Sequence, residues 1–328
     1  MIDKERILEV KNLKKHFPVK KVSFREKAGS IKAVDGISFH VYKGETLGIV
    51  GESGSGKSTL GRTILRLMEP TEGEIIFEGH NLVGMSSRKL TEHRKNMQMV
   101  FQDPFASLNP RMRVHQLIGE PLAVQKILNK EERTKKVLDL LEKVGLPKEA
   151  LTKYPHEFSG GQRQRIGIAR ALSMNPKFII ADEPVSALDV SVQSQVLNLM
   201  MDLQDEFNLT YLFISHDLSV VKHISDRVGV MYLGRIVEIG PKKNIYENPM
   251  HPYTKSLLSA IPTVSFGVKK ERIHLEGEPP SPSNPPSGCT FHTRCPHAFD
   301  RCKIDSPELV ERVDVQFVAC HLYSEDSI

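Results

Sequence analysis

Apolar residues in this chain fall into short runs broken by glycine, proline and charged turns, and the spacing inside each run predicts its structure. Thr46-Leu47-Gly48-Ile49-Val50 is apolar and β-branched enough to be a buried strand. Leu60 to Met68 has helical spacing until Pro70 stops it. Before them, Ile7 to Phe17 reads as a strand ending in a turn at Pro18, Val19 to Ser30 as an exposed hairpin or loop, and Ala33 to Val41 as a strand again. Gly73 to Gly79 and Met97 to Phe101 read as further short strands. From Val114 to Met174 the period becomes helical, with Leu138, Leu141 and Val144 on one face and Gly145 placed as a C-cap. The α/β alternation returns at Phe178: strand Phe178 to Ala181, helix Val190 to Phe207, strand Leu209 to Ile214, a helix near Val220, and strands Val228 to Tyr232 and Arg235 to Ile239. A helical block that interrupts an α/β pattern predicts an inserted subdomain, about residues 103–175.

Beyond this block the pattern weakens. Ile261-Pro262 closes the helix after His251-Pro252, which sets a domain boundary near residue 262 and leaves 263–328 as an extension. Glu278 to Ser287 holds too many prolines for helix or central strand and reads as an extended linker or covering strap. All four cysteines lie beyond it.

Composition narrows the class. The 328 residues suffice for one large and one small domain; 39% hydrophobic and 26% charged residues are those of a soluble globular protein. No stretch approaches ~20 consecutive apolar residues, and the first residues lack the apolar core of a signal peptide, so the sequence predicts a cytoplasmic protein. A net charge of +5 over 45 basic and 40 acidic residues forms no concentrated basic block; it hints weakly at an acidic partner, and a mixed surface charge accounts for it better.

Chemistry enters with Gly51-Glu52-Ser53-Gly54-Ser55-Gly56-Lys57-Ser58-Thr59, which fits the G-x-x-x-x-G-K-[ST] pattern between a strand and a helix. Glycines and small neighbours let successive N–H groups turn toward an anion, and the helix N-terminus adds partial positive charge. Lys57 would reach the β- and γ-phosphates of a nucleoside triphosphate and Ser58 would ligate Mg²⁺. Phe178 to Glu183 delivers two carboxylates at the C-terminal end of a strand. Asp182 would hold Mg²⁺ and Glu183 would polarise the attacking water, although an N-cap with an acidic first turn explains Asp-Glu-Pro equally well in isolation. Ser159-Gly160-Gly161-Gln162 opens another helix, as an ordinary cap or as a second anion cradle for the nucleotide of another subunit. Phe17 is a candidate to stack on a base, or a core or turn phenylalanine.

These motifs together resemble the ATPase subunits of ATP-binding cassette (ABC) transporters. Gly51 to Thr59 matches that family's Walker A motif and Phe178 to Glu183 its Walker B strand with the catalytic glutamate. Phe158 to Gln162 matches the LSGGQ signature with phenylalanine for the usual leucine. Gln102 matches the Q-loop glutamine, Ser186 to Asp189 the D-loop, and His216 the switch histidine; Phe17 falls at the adenine-stacking aromatic. The resemblance implies an α/β P-loop NTPase with a RecA-like core, an antiparallel β-subdomain and an inserted helical subdomain, followed by the small Cys-rich extension. It also implies catalysis by Glu183, His216 and Gln102. Cofactor contacts would come from Phe17, Ser53 to Thr59, Gln102, Asp182, Ser159 to Gln162 and Asp189, and Mg²⁺ would be held by Ser58, Gln102 and Asp182.

Phe101 to Pro110, Tyr154 to Gln162 and Gly288 to His297 are similar to the wording of dipeptide and oligopeptide importers, and of close relatives that import nickel or glutathione. Such a subunit would pair head to tail with a second, paralogous ATPase. It would dock on two membrane-spanning subunits at the cytoplasmic face, through the surface between Gln102 and Arg113, and serve an extracytoplasmic binding protein indirectly. A soluble ABC ATPase acting on DNA or ribosomes is the other reading, but the chain has neither two cassettes nor long insertions. Cys289, Cys295, Cys302 and Cys320 leave five, six and seventeen residues between them, unlike paired C-x₂-C zinc sites. Four thiolates could hold Zn²⁺ or an iron–sulfur cluster, or be unligated buried thiols, and the resemblance favours [4Fe–4S].

Overall fold

The computed structural model describes residues 5–19, 29–261, 273, 275, 277–313 and 315–323. It contains two compact units, one of residues 5, 42–45 and 85–214 and one of residues 6–41, 46–84 and 215–328.

In the first unit three strands run parallel, Met97–Val100 beside Phe178–Asp182 beside Thr210–Ile214, with Met97 opposite Phe178 and Asp182 opposite Ile214. Every residue of the two latter strands is buried, as expected of a parallel sheet covered on both faces. Helix Val190–Phe207 has the predicted ends, and Asn208 closes it in a left-handed conformation. Helices Val114–Val124, Lys130–Lys143 and Gly160–Leu172 pack on one another and form the predicted helical block. Lys130–Lys143 starts with a capping box, in which Asn129 Oδ1 accepts from the Glu132 amide at 3.0 Å while Glu132 Oε2 accepts from the Asn129 amide at 2.9 Å. It ends with Gly145 at φ 68°, whose amide donates to Glu142 O while that of Leu146 donates to Leu141 O. The buried stripe is Val137, Leu140, Leu141 and Val144; Leu138 stands one position off and is only half-buried.

The second unit holds two sheets. One is antiparallel, in the order Ser30–Tyr42, Arg6–Pro18, Glu72–Phe77, His80–Asn81, with Leu8 opposite Phe77 and Val10 opposite Ile75 on its buried face. The other has Thr46–Val50 parallel to Arg227–Tyr232, then Arg235–Pro241, Gln316–Val318 and Val310–Val313 in antiparallel succession. The C-terminal extension thus adds two strands to the edge of this sheet. The proline-rich segment is free of helix and strand, and Pro282 O accepts from the Lys32 amide at 3.2 Å, which suits a strap.

The helix after the phosphate loop is shorter than predicted, Lys57–Ile64 rather than running to Met68. Arg66 adopts φ 51°, its amide donates to Thr63 O and that of Leu67 to Arg62 O, so a Schellman turn ends the helix well before the proline. Residues 20–28 of the expected hairpin and the boundary near residue 262 lie outside the described residues. Among the described residues no helix is long and apolar enough to cross a membrane.

Candidate functional site

The functional residues are divided between the two units. In the second, the loop 51–56 leaves strand Thr46–Val50 and enters helix Lys57–Ile64. Two of its glycines are sterically required. A Cβ at Gly56, where φ is 102°, would lie 1.9 Å from Ala33 O, and one at Gly51 would lie 2.1 Å from Met231 O. Gly54 faces open space, so the crest of the loop is accessible along with Ser53. Lys57 is 4% exposed, and its ammonium donates to Gly51 O at 2.8 Å and Glu52 O at 2.9 Å, with Ser55 Oγ at 3.5 Å. Ser58 and Thr59 are half-buried in the first turn of the helix. His216 is exposed between buried Ser215, whose amide donates to Ile49 O, and Asp217, which caps helix Leu218–Ile224 by accepting from the Ser219 amide at 2.7 Å. Phe17 is half-buried at the end of its strand, with Lys15 Nζ 4.9 Å from its ring centroid.

The same loop is braced from behind by residues that periodicity did not reveal. Tyr253, at the start of helix Pro252–Ser259, accepts the Glu52 amide on its hydroxyl at 3.0 Å. Arg294 of the Cys-rich extension reaches the Glu52 carboxylate, Nη1 to Oε2 at 3.0 Å and to Oε1 at 3.3 Å. Phe291 is 1% exposed and fixes that extension among Tyr232, Tyr253 and His251, at centroid distances of 5.2, 5.4 and 5.6 Å. His251 caps helix Pro252–Ser259 by accepting the Tyr253 amide on Nδ1 at 3.1 Å, and burial drives its pKa down to about 3. The one sequence signal for Arg294 and Phe291 was their place in the Gly288 to His297 wording.

In the first unit Asp182 is fully buried at the end of its strand. Glu183 follows at φ 46°, a left-handed backbone unusual for a non-glycine residue, held by its amide donating to Ile214 O at 2.9 Å. This geometry turns the side chain to Gln102, whose Nε2 donates to Glu183 Oε2 at 2.8 Å. The structure therefore brings together two of the three predicted catalytic residues. Ser159 caps helix Gly160–Leu172 in a capping box, Ser159 Oγ accepting the Gln162 amide at 3.4 Å and Gln162 Oε1 the Ser159 amide at 3.0 Å. The cap is real, and Ser159 and Gln162 are nevertheless exposed. A Cβ at Gly161 would lie 2.3 Å from Val192 Cγ1, so a side chain there would require Val192 to move. Asp189 is exposed at the N-cap of helix Val190–Phe207. Arg163 stacks its guanidinium 3.8 Å from the ring centroid of Phe105, which is 62% exposed on the Gln102 to Arg113 surface.

The cysteines are expected, from sequence, to hold a metal centre. All four are unbonded thiols; the Cys289 amide donates to Cys302 O, and burial with mutual repulsion raises Cys289 to about 11 and Cys320 to about 12. Yet among the described residues no three Cys, His, Asp or Glu side chains converge as a metal would require. The [4Fe–4S] cluster or Zn²⁺ expected at Cys289, Cys295, Cys302 and Cys320 thus has no support from the described residues, although the thiols are near enough to repel one another.

Residues 34–186 match the family described as ABC transporter, and residues 237–302 match the oligopeptide/dipeptide transporter C-terminal region. The oligopeptide transport ATP-binding protein AppF of Bacillus subtilis is 61% identical over 98% of this chain and 99% of its own. The dipeptide transport ATP-binding protein DppF of Haemophilus influenzae is 54% identical over 96% of each. The dimeric post-hydrolysis structure of the ATP-binding cassette MJ0796, bound to ADP and Pi, is 30% identical with a TM-score of 0.63, over 72% of this chain and 98% of that one.

Proposed function

Because the chain belongs to the ABC transporter ATP-binding subunits of the oligopeptide and dipeptide class, we propose that its phosphate loop, Gln102, Asp182, Glu183 and His216 carry out the ATP hydrolysis that powers peptide uptake. The protein is the ATPase of an importer whose solute path is formed by separate membrane subunits. Nothing favours nickel, glutathione or a nucleic acid as its object.

Lys57 would exchange the Gly51 and Glu52 carbonyls for β- and γ-phosphate oxygens. Asp182, a fully buried carboxylate, fits a hard cation, and with Ser58 and Gln102 it would hold the Mg²⁺ that neutralises phosphate charge. Glu183 would accept the proton of the water whose oxygen attacks the γ-phosphorus as the bond to ADP breaks. Its contact with Gln102 gives the glutamine control over when that carboxylate is available. His216 would orient the same water or the γ-phosphate. Phe17 would stack on adenine. Ser159 to Gln162, exposed at a helix N-terminus, would contact the ATP of a second ATPase subunit, with Asp189 beside that interface. The exposed surface around Phe105 would seat one of two membrane subunits at the cytoplasmic face, and an extracytoplasmic binding protein would supply peptide.

The observation that carries this reading is the Gln102–Glu183 contact on a left-handed Glu183 backbone. Glu183→Gln keeps size and hydrogen-bonding capacity but loses the proton acceptor. It is expected to slow hydrolysis by at least about a hundredfold and to accumulate as an ATP-bound dimer on gel filtration. Near-parental turnover in the assembled transporter would remove Glu183 from the mechanism.

A further inference from the structure

The Arg294–Glu52 pair is placed where charge matters most. Glu52 is the second residue of a loop that must receive a polyanion, and its carboxylate would repel that polyanion if it turned toward the crest. Arg294 prevents this. Its side chain is 8% exposed while that of Glu52 is 26% exposed, so the cation is supplied from inside the protein and the carboxylate is drawn back toward it. Two further contacts fix the geometry. The Tyr253 hydroxyl holds the Glu52 amide, and Phe291, three residues before Arg294, is sealed among Tyr232, Tyr253 and His251. The Arg294 amide donates to Phe291 O at 3.0 Å, which ties the Arg294 backbone to the residue whose ring is buried there. The burial that tends to lower the Arg294 pKa is overcome by its bond to Glu52, so the residue stays a full cation.

We infer that Arg294 is a positioning residue of the nucleotide site. By holding and neutralising Glu52, it keeps the phosphate loop receptive to a triphosphate, and through it the C-terminal extension sets ATP affinity. This rests on the reading of Gly51 to Thr59 as the phosphate loop. The chemistry predicts a particular epistasis. Arg294→Gln releases a carboxylate beside the phosphates; removing that carboxylate as well removes the repulsion, so the second substitution should repair the first. A residue that served only to hold the extension in place would not be repaired by a change at Glu52.

The test is equilibrium binding of a fluorescent N-methylanthraniloyl-ATP, with Mg²⁺, to the purified full chain. Arg294→Gln is expected to weaken binding about tenfold, within the range of coupling seen for interacting charged pairs. The double variant Glu52→Gln with Arg294→Gln is expected to return to within about threefold of the parent. In the assembled transporter the Arg294→Gln loss should appear in the KM for ATP and leave kcat unchanged. Where Arg294→Gln does not give folded protein, Arg294→Met, which keeps an apolar stem beside the Tyr232 ring, carries the same comparison. A double variant that binds no better than the single one, or a lowered urea midpoint with unaltered affinity, overturns the inference. Lys57→Ala, measured in parallel, separates the two levels. If it too binds normally, the phosphate-loop reading itself has failed; if it loses binding while Arg294→Gln does not, only the role of Arg294 has.

Discussion

Lowering the pH should destabilise this protein through one buried imidazole, and the size of the effect follows from its surroundings. His251 is fully enclosed, and its Nδ1 must stay unprotonated to accept the Tyr253 amide that starts helix Pro252–Ser259. Burial, helped by the charge of Lys255, lowers its pKa from 6.5 to about 3. Below pH 6.5 the unfolded chain therefore binds a proton that the folded chain refuses, and stability falls as pH falls, with the window running from about 6.5 down to about 3. One proton corresponds to ~1.4 kcal/mol per pH unit, so the loss between pH 7.5 and 5 is about 2 kcal/mol. His40, also lowered, to about 4, steepens the same slope but titrates alike in the parent and in a variant at His251, so it cancels when the two are compared. His251→Asn isolates the effect. Asparagine places an acceptor where Nδ1 stood and is among the best N-caps, but it does not titrate. It will be less stable than the parent at every pH, because the ring's contacts with Phe291 are lost. Urea midpoints measured from pH 7.5 to 5 should show the parent losing about 2 kcal/mol more than the variant over that range. Parallel curves for the two proteins would refute the argument.

Two other substitutions probe the frame of the site. Phe291→Ala should cost about 3–5 kcal/mol, felt first in the extension, so that hydrogen exchange speeds up across residues 289–304 before the parallel strands of the first unit respond; unchanged protection there would contradict its role as the anchor. Gly56→Ala puts a methyl group 1.9 Å from Ala33 O, which only backbone movement can relieve, so MgATP binding should fall more than about tenfold by calorimetry while far-UV dichroism is retained. Parental affinity would show that the loop tolerates displacement.

What the sequence determined by itself is whatever rests on neighbouring residues. The phosphate loop is legible because consecutive N–H groups build its cradle, and strand Phe178–Asp182 and helix Val190–Phe207 are legible because their burial patterns repeat within the segment. Gly145 could be placed as a C-cap for the same reason. The early stop of helix Lys57–Ile64 was not legible, since Arg66 takes a left-handed conformation that glycine usually marks. Nor were Gln316–Val318 and Val310–Val313, short strands of which the first exists because Arg235–Pro241 offers it hydrogen bonds and the second because the first does. The meeting of Gln102 with Glu183 across 81 residues, and of Glu52 with Arg294 across 242, was decided only by tertiary structure. Periodicity records which face of an element is buried. It does not record which distant charge waits on the other side, because that depends on how chain segments far apart in sequence are folded back together.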